Sequence, residues 1–232
     1  MITIKDLNKN FGKKEVLKNI NLKIEKQDHI ALIGYNGSGK TTLIKLILDL
    51  LTTKKGKIEI NNLNIKDNKF NLKNICYISN ENDLPENMRV VTYVDYILKL
   101  TLGRENKLTE LSELFNFDIY SSTLIRDLST GMRQKLKICT SLCFEQDLYI
   151  FDEITSGLDP VSKTKLINYI NTELITKTVI YCSHILEEIV EVCSKAIILN
   201  QKQISDVITI NDKDKFINQY NQSFDIGDLN HE

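Results

Sequence analysis

"HIALIGYNGSGKTTLIKLILDLL", residues 29–51, decides the fold. HIALIG is a continuous apolar run, the pattern of a fully buried strand, and KTTLIKLILDLL has helical length and period. Between them GYNGSGKT, residues 34–41, fits G-x-x-x-x-G-K-[ST] in the context that motif requires, after a strand and at the start of a helix. Glycines there let backbone N–H groups curl around phosphate oxygens, and the helix N-terminus adds positive potential. Lys40 would reach the outer phosphates and Thr41 would offer its hydroxyl to Mg²⁺. The plain alternative is a glycine-rich turn with a solvated Lys, and the flanking strand and helix argue against it.

Further along, LYIF delivers Asp152 and Glu153 to the end of a second apolar strand. In an open parallel sheet, ligands gather at the C-terminal strand ends. Asp152 suits Mg²⁺, directly or through water, and Glu153 suits polarising an attacking water. Solvated acids capping a core strand would explain either residue alone, but not the pair together with the glycine loop.

Around these two stretches the chain alternates. ITIKDL and VLKNINLKIE predict half-buried strands, GKIEI and NICYIS two more, and residues 88–145 read as mainly helical. DLYIF, TVIYCS and KAIILN predict strands separated by the helical stretches VSKTKLINYINTEL and ILEEIVEVCS. Such alternation implies βαβ units and a parallel sheet. In the last residues Phe216, Tyr220 and Phe224 recur every four positions, which fits either a docked terminal helix or a frayed tail.

With 232 residues the expectation is one domain with an inserted subdomain. The formal net charge of −1 argues against broad nucleic-acid affinity, which needs an excess of Lys and Arg, so no nucleic-acid partner is expected. Five cysteines, Cys76, Cys139, Cys143, Cys182 and Cys193, show no CxxC spacing and read as buried free thiols of a reducing compartment. No stretch has the ~18 apolar residues of a membrane span, and none has the form of a signal peptide, so the chain is expected to be cytosolic.

LSTGM, residues 128–132, holds no acid, base or metal ligand, yet it lies just ahead of FDEITSGLDP. The glycine loop, LSTGM and FDEITSGLDP, in this order and spacing, resemble the nucleotide-binding subunit of ATP-binding cassette (ABC) transporters, over the chain to about residue 205. The resemblance implies a P-loop NTPase fold: an α/β protein with a RecA-like parallel sheet core, a small antiparallel β subdomain and an inserted helical subdomain. The implied boundaries are 1–80 and 146–208 for the core with its β subdomain, 81–145 for the helical subdomain and 209–232 for a tail.

LSTGM then looks like the family's signature loop, usually LSGGQ, from which Thr130 and Met132 depart. The family uses this loop in trans, on the γ-phosphate of an ATP bound to the opposite subunit. Ser129 and the N–H groups near Gly131 would start a helix and present donors to that anion; taken singly, Ser129 is an ordinary N-cap. Asp159, in the D-loop match at residues 156–159, would face the same nucleotide. In cis, Gly34, Tyr35, Asn36, Gly37, Ser38, Gly39, Lys40, Thr41 and Thr42 would hold the phosphates. Phe11 matches the aromatic residue that stacks on adenine, and His184 the switch His at the γ-phosphate.

Asn80, in ICYISNEN, takes the place of the family's Q-loop Gln beside the Mg²⁺ and the attacking water, one methylene shorter, with Glu81 the alternative. Leu84, Pro85, Met88, Tyr93 and Tyr96 fall where the family docks its membrane subunit, and are equally readable as helix core. The resemblance therefore implies ATP and Mg²⁺ as ligands, with a second ATP-binding subunit and a transmembrane permease as partners. It places the protein peripherally on the inner face of the cell membrane, and the Met-ending signature leans toward export. A soluble cassette acting on ribosomes or DNA would want paired cassettes, a long insertion or a basic surface. A P-loop kinase or GTPase leaves LSTGM unexplained.

Overall fold

The structure, a computed structural model, describes residues 1–67, 73–81, 83–101, 104–213 and 215–220. Strands β1 (Ile2–Phe11) and β2 (Lys14–Ile24) form an antiparallel hairpin turned at Gly12, where φ is +58°. Strand β3 (His29–Ile33) is HIALI, buried at every position, and α1 (Lys40–Ile47) follows the glycine loop. Next come β4 (Lys55–Ile60), β5 (Leu63–Asn64) and β6 (Ile75–Ile78). Helices α2 (Val90–Leu100), α3 (Leu108–Phe115) and α4 (Thr130–Leu142) fill the helical stretch, with a 3-10 turn at Ile125–Asp127. Then β7 (Leu148–Asp152), α5 (Pro160–Glu173), β8 (Thr178–Cys182), α6 (Leu186–Val192), β9 (Lys195–Asn200) and β10 (Gln203–Thr209) complete the order.

Two sheets result. One is antiparallel, in the order β2-β1-β4-β5, and the other is six-stranded, in the order β10-β9-β3-β8-β7-β6. All pairings of the second are parallel except β9 with β10. Its two faces explain the continuous apolar runs. Ile30, Leu32, Ile150, Ile180 and Ile197 face a core shared with α1 and the antiparallel sheet, while Ala31, Ile33, Phe151, Tyr181 and Ile198 face the helices on the other side. A strand buried on both faces has no polar alternation to show. Burying each large apolar side chain contributes about 1.5–3 kcal/mol, so β3, at the middle of the sheet, is strongly specified.

The P-loop α/β fold class expected from the sequence is the one observed. Some details differ. α1 stops at Ile47 rather than running to residue 51, because Asp49 adopts a left-handed φ of +53° and the N–H groups of Leu50 and Leu51 turn back to Lys45 O. β10 is an additional strand. Of the tail aromatics, Phe216 is buried in the helix-side core and Tyr220 packs 6.3 Å from its ring in a helix over residues 215–220, whereas Phe224 lies outside the described residues. The tail is thus docked as far as residue 220. All five cysteines are buried and free, and burial pushes the Cys139 and Cys143 thiols up to about 12. No helix of the described residues is long and apolar enough to cross a membrane.

Candidate functional site

The topology brings the ends of β3, β6, β7 and β8 to one edge of the parallel sheet. From β3 the chain turns through the glycine loop. A Cβ on Gly34 would lie 2.4 Å from Leu199 O and 2.6 Å from Ser38 Oγ, so no larger residue fits without rearrangement. Gly39 caps α1 at φ +108°, a conformation that glycine adopts readily. The Lys40 ammonium folds onto its own loop, donating to Gly34 O at 2.6 Å and Tyr35 O at 3.2 Å. Ser38 N–H donates to Tyr35 O at 3.1 Å, while Ser38 Oγ is buried and without a hydrogen-bond partner among the described residues.

Strand β7 delivers Asp152, and Thr41 Oγ1 donates to Asp152 Oδ2 at 3.4 Å, joining loop and strand. Burial raises the Asp152 carboxyl above its ordinary pKa, with the Thr41 hydroxyl and Lys40 pulling the other way. Glu153 follows in a left-handed conformation, φ +56°, and its N–H donates to Cys182 O at 2.9 Å across to β8. His184, just past β8, brings Nε2 to 3.4 Å from Glu153 Oε1. That spacing makes an ion pair when the ring is protonated but is not aligned as a hydrogen bond, and Glu153 Oε1 accepts none among the described residues. Burial raises the Glu153 pKa, opposed by His184 and reinforced by Asp152.

These groups line an open cleft of about 560 Å³. It gathers Phe11, Asn36, Gly37, Gly39, Lys40, Thr41, Thr42, Asn80, Asp152, Glu153 and His184, together with Lys14, Val16 and Glu81. Phe11 is 48% exposed at the end of β1, with the Lys9 ammonium 4.7 Å from its ring centroid. Glu81 is engaged with α1 through an ion pair to Lys45 at 2.8 Å. A glycine loop, a helix N-terminus and a Lys suit an anion. A half-buried carboxylate beside a hydroxyl suits a hard cation shared with that anion.

Gly34, Tyr35 and Ser38 build the loop without lining the cleft, and Ser129, Gly131 and Asp159 lie outside its lining. Ser129 caps α4, its hydroxyl accepting from Met132 N–H at 3.2 Å. Gly131 passes close to the turn after β7, since a Cβ there would meet Gly157 O at 2.8 Å. Asp159 caps α5, accepting from Ser162 Oγ at 2.7 Å and Ser162 N–H at 2.9 Å, with Lys135 Nζ 3.1 Å away. The Ser162 hydroxyl, its N–H and Lys135 hold the Asp159 carboxyl well below the usual range. Of the five residues read as a docking face or helix core, Leu84 is buried in the core, Met88 and Tyr93 pack against it, Pro85 is half-buried and Tyr96 is exposed.

Two residues escaped the sequence. Lys137, on α4, donates to Ser79 O at 3.2 Å and to Glu81 O, and pairs with Asp83 Oδ1 at 2.6 Å, pinning the segment around Asn80. Its signal was a charge between Leu136 and Ile138 in the most apolar part of α4. Glu188 is buried on α6, and its only signal was its phase, one turn before the buried Val192.

Comparison with known proteins bears on the family and the fold. A protein-family model described as ABC transporter matches residues 17–156. The ABC transporter ATP-binding protein NatA of Bacillus subtilis is 30% identical over 217 residues, covering 88% of this chain and 87% of that protein. The methionine import ATP-binding protein MetN of Clostridium tetani is 31% identical over 219 residues, covering 88% of this chain and 68% of that protein. A solved structure of an ATP-binding subunit of an ABC transporter superposes with a TM-score of 0.82 at 26% identity, covering 95% of this chain and 93% of that one.

Proposed function

The chain belongs to the ABC transporter family of ATP-binding ATPases, and from that premise we propose that its cleft binds MgATP and hydrolyses it between two copies of the cassette to drive a separate membrane permease. The observation that carries this is the meeting, in one cleft, of Lys40, the Thr41–Asp152 contact and the Glu153–His184 contact. The loop N–H groups of residues 34–42 receive the phosphates, and Lys40 exchanges its bonds to Gly34 O and Tyr35 O for phosphate oxygens. Phe11 offers a half-exposed ring to adenine, as aromatic side chains do to bases.

Thr41 and Asp152 fit Mg²⁺, which is commonly held by one or two carboxylates together with phosphate oxygens. Desolvation of Asp152 is relieved by a cation, and Asn80, which lines the same cleft, would join that ion's shell. Bound there, the ion would neutralise charge that builds on the phosphates. Glu153, its pKa raised by burial, is the better base for an attacking water, and His184 faces it and orients the pair.

In this reading residues 1–80 and 146–208 form the catalytic core, residues 81–145 a helical arm carrying the α4 N-terminus, and residues 209–232 a tail. Ser129, Gly131 and Asp159 face the nucleotide of a second subunit. The protein then acts in the cytoplasm at the inner face of the cell membrane, held there by its permease. The Met132 ending of the signature loop favours export.

The test is Glu153→Gln, which keeps size and removes the base. Hydrolysis is expected to fall by about 10²–10⁴, the usual worth of a positioned general base, with ATP binding kept and an ATP-dependent dimer accumulating on size exclusion. Wild-type turnover, or a monomer at saturating ATP, would overturn the proposal.

A further inference from the structure

Glu188 lies outside the cleft, is 1% exposed, and collects donors from several elements. Thr155 Oγ1 stands 3.0 Å from each carboxylate oxygen, Tyr181 OH donates to Oε2 at 2.8 Å and Ser183 Oγ donates to Oε2 at 2.9 Å. Lys163 Nζ, from α5, pairs with Oε1 at 2.5 Å. A carboxylate buried to this degree is costly unless paired and hydrogen-bonded, and here it is both.

The donors are placed where the cleft needs them. Thr155 follows Glu153 by two residues, in the turn that holds Glu153 at φ +56°, a backbone state that persists only when its surroundings enforce it. That turn is closed by Ser156 N–H donating to Glu153 O at 3.1 Å. Ser183 directly precedes His184, and its Oγ accepts from Ile185 N–H at 3.1 Å, so the residues on both sides of His184 are fixed to one hydroxyl. Tyr181 ties the same carboxylate to β8. One buried anion thus joins the turn after β7 to the turn after β8, the two segments whose side chains meet at 3.4 Å in Glu153 and His184.

We propose that Glu188 is a positioning residue for hydrolysis: through Thr155 and Ser183 it holds Glu153 and His184 in register, while Lys163 balances its charge. This rests on the roles given above to Glu153 and His184. A residue serving the fold alone would lower stability without changing turnover per folded molecule, and its effects would be independent of His184.

The experiment measures kcat, KM, nucleotide affinity and single-turnover rates on the full chain for Glu188→Gln, Thr155→Val, Ser183→Ala, His184→Ala, Glu153→Gln and the double variant of Glu188→Gln with His184→Ala. Glu188→Gln is expected to lower kcat about ten- to a hundred-fold, the scale of a small misplacement of reacting groups, with ATP affinity unchanged. Thr155→Val and Ser183→Ala, each losing one donor, are expected between it and wild type, and they decide the matter should Glu188→Gln not fold. The double variant should lose less than the product of the two single losses, because part of what Glu188 does is done through His184. Wild-type kcat in Thr155→Val and Ser183→Ala, or losses that multiply in the double variant, would overturn the inference while an inactive Glu153→Gln left the site assignment standing. Full activity in Glu153→Gln would overturn both.

Discussion

Asp152 shows how a candidate metal ligand opposes the fold that carries it. Burial raises its pKa, so the folded chain holds the proton more tightly than the unfolded chain, whose carboxyl titrates near an ordinary value of about 4. Below that pH the group is protonated in both states and costs nothing. As the pH climbs through the raised folded-state pKa, the unfolded state ionises more readily and stability is lost. Asp152→Asn keeps the shape and removes the charge. In the absence of nucleotide and Mg²⁺ it is therefore expected to melt above wild type at about pH 8, with the gap closing toward about pH 4. A gap of equal size at both pH values in thermal denaturation would mean that charge is not its cause. The same variant should lose hydrolysis, because the relief that Asn supplies without a ligand is the relief that a bound cation would supply in the wild type.

Elements differ in how far the sequence announces them, and the difference is physical. β3 and α1 were legible because a strand buried on both faces and a helix opened by Gly39 and Lys40 leave patterns that few other arrangements share. β10 left none. Its residues are mostly exposed, and the turn before it places Gln201 and Lys202 at φ +44° and +70°, a type I′ geometry without the Asn or Gly that normally signals it. The comparable turn between β4 and β5, at Asn61 and Asn62, carries the expected residues. Site residues followed the same division. Lys40, Asp152 and His184 sit at strand or helix ends that the alternation marks, whereas Lys137 and Glu188 act through partners distant in sequence. Lys137 makes α4 a strut, its side chain 8% exposed and its ammonium against Ser79 O, Glu81 O and Asp83. Lys137→Met retains the stem, takes this donor from Ser79 O and leaves Glu81 O with the Asp83 N–H alone. Hydrogen bonds to a charged group are worth about 1.5–3 kcal/mol, and a loss of that order is expected in urea unfolding, the lower end being favoured because Asp83 is 60% exposed on its side chain. Because the same segment presents Asn80 to the cleft, KM for ATP should rise as well. An unchanged KM alongside the stability loss would confine Lys137 to the fold.

At the scale of the whole molecule the cleft is one-sided. Its walls come from the glycine loop, the strand ends and Phe11, with no contribution from α4. Yet α4 begins with an exposed Ser129 whose hydroxyl caps the first turn, leaving a helix N-terminus outside the lining of its own chain's cleft. A second copy placed head to tail would set this N-terminus over the open side of the cleft, and two-fold symmetry would complete both sites at once. Only a ligand touching both copies shifts the population toward that closed state. Ser129→Arg tests the arrangement by adding bulk and positive charge at the cap. The monomer should lose about 1 kcal/mol of stability with its N-cap and should bind ATP as wild type does, since Ser129 is no part of the cleft. Combined with Glu153→Gln, which should otherwise trap the dimer, it is expected to remain monomeric on size exclusion with saturating ATP. Loss of ATP binding by the monomer would place the α4 N-terminus over its own nucleotide. A stable ATP-bound dimer would remove the loop from the interface. Monomer with intact binding is the result that the one-sided cleft requires.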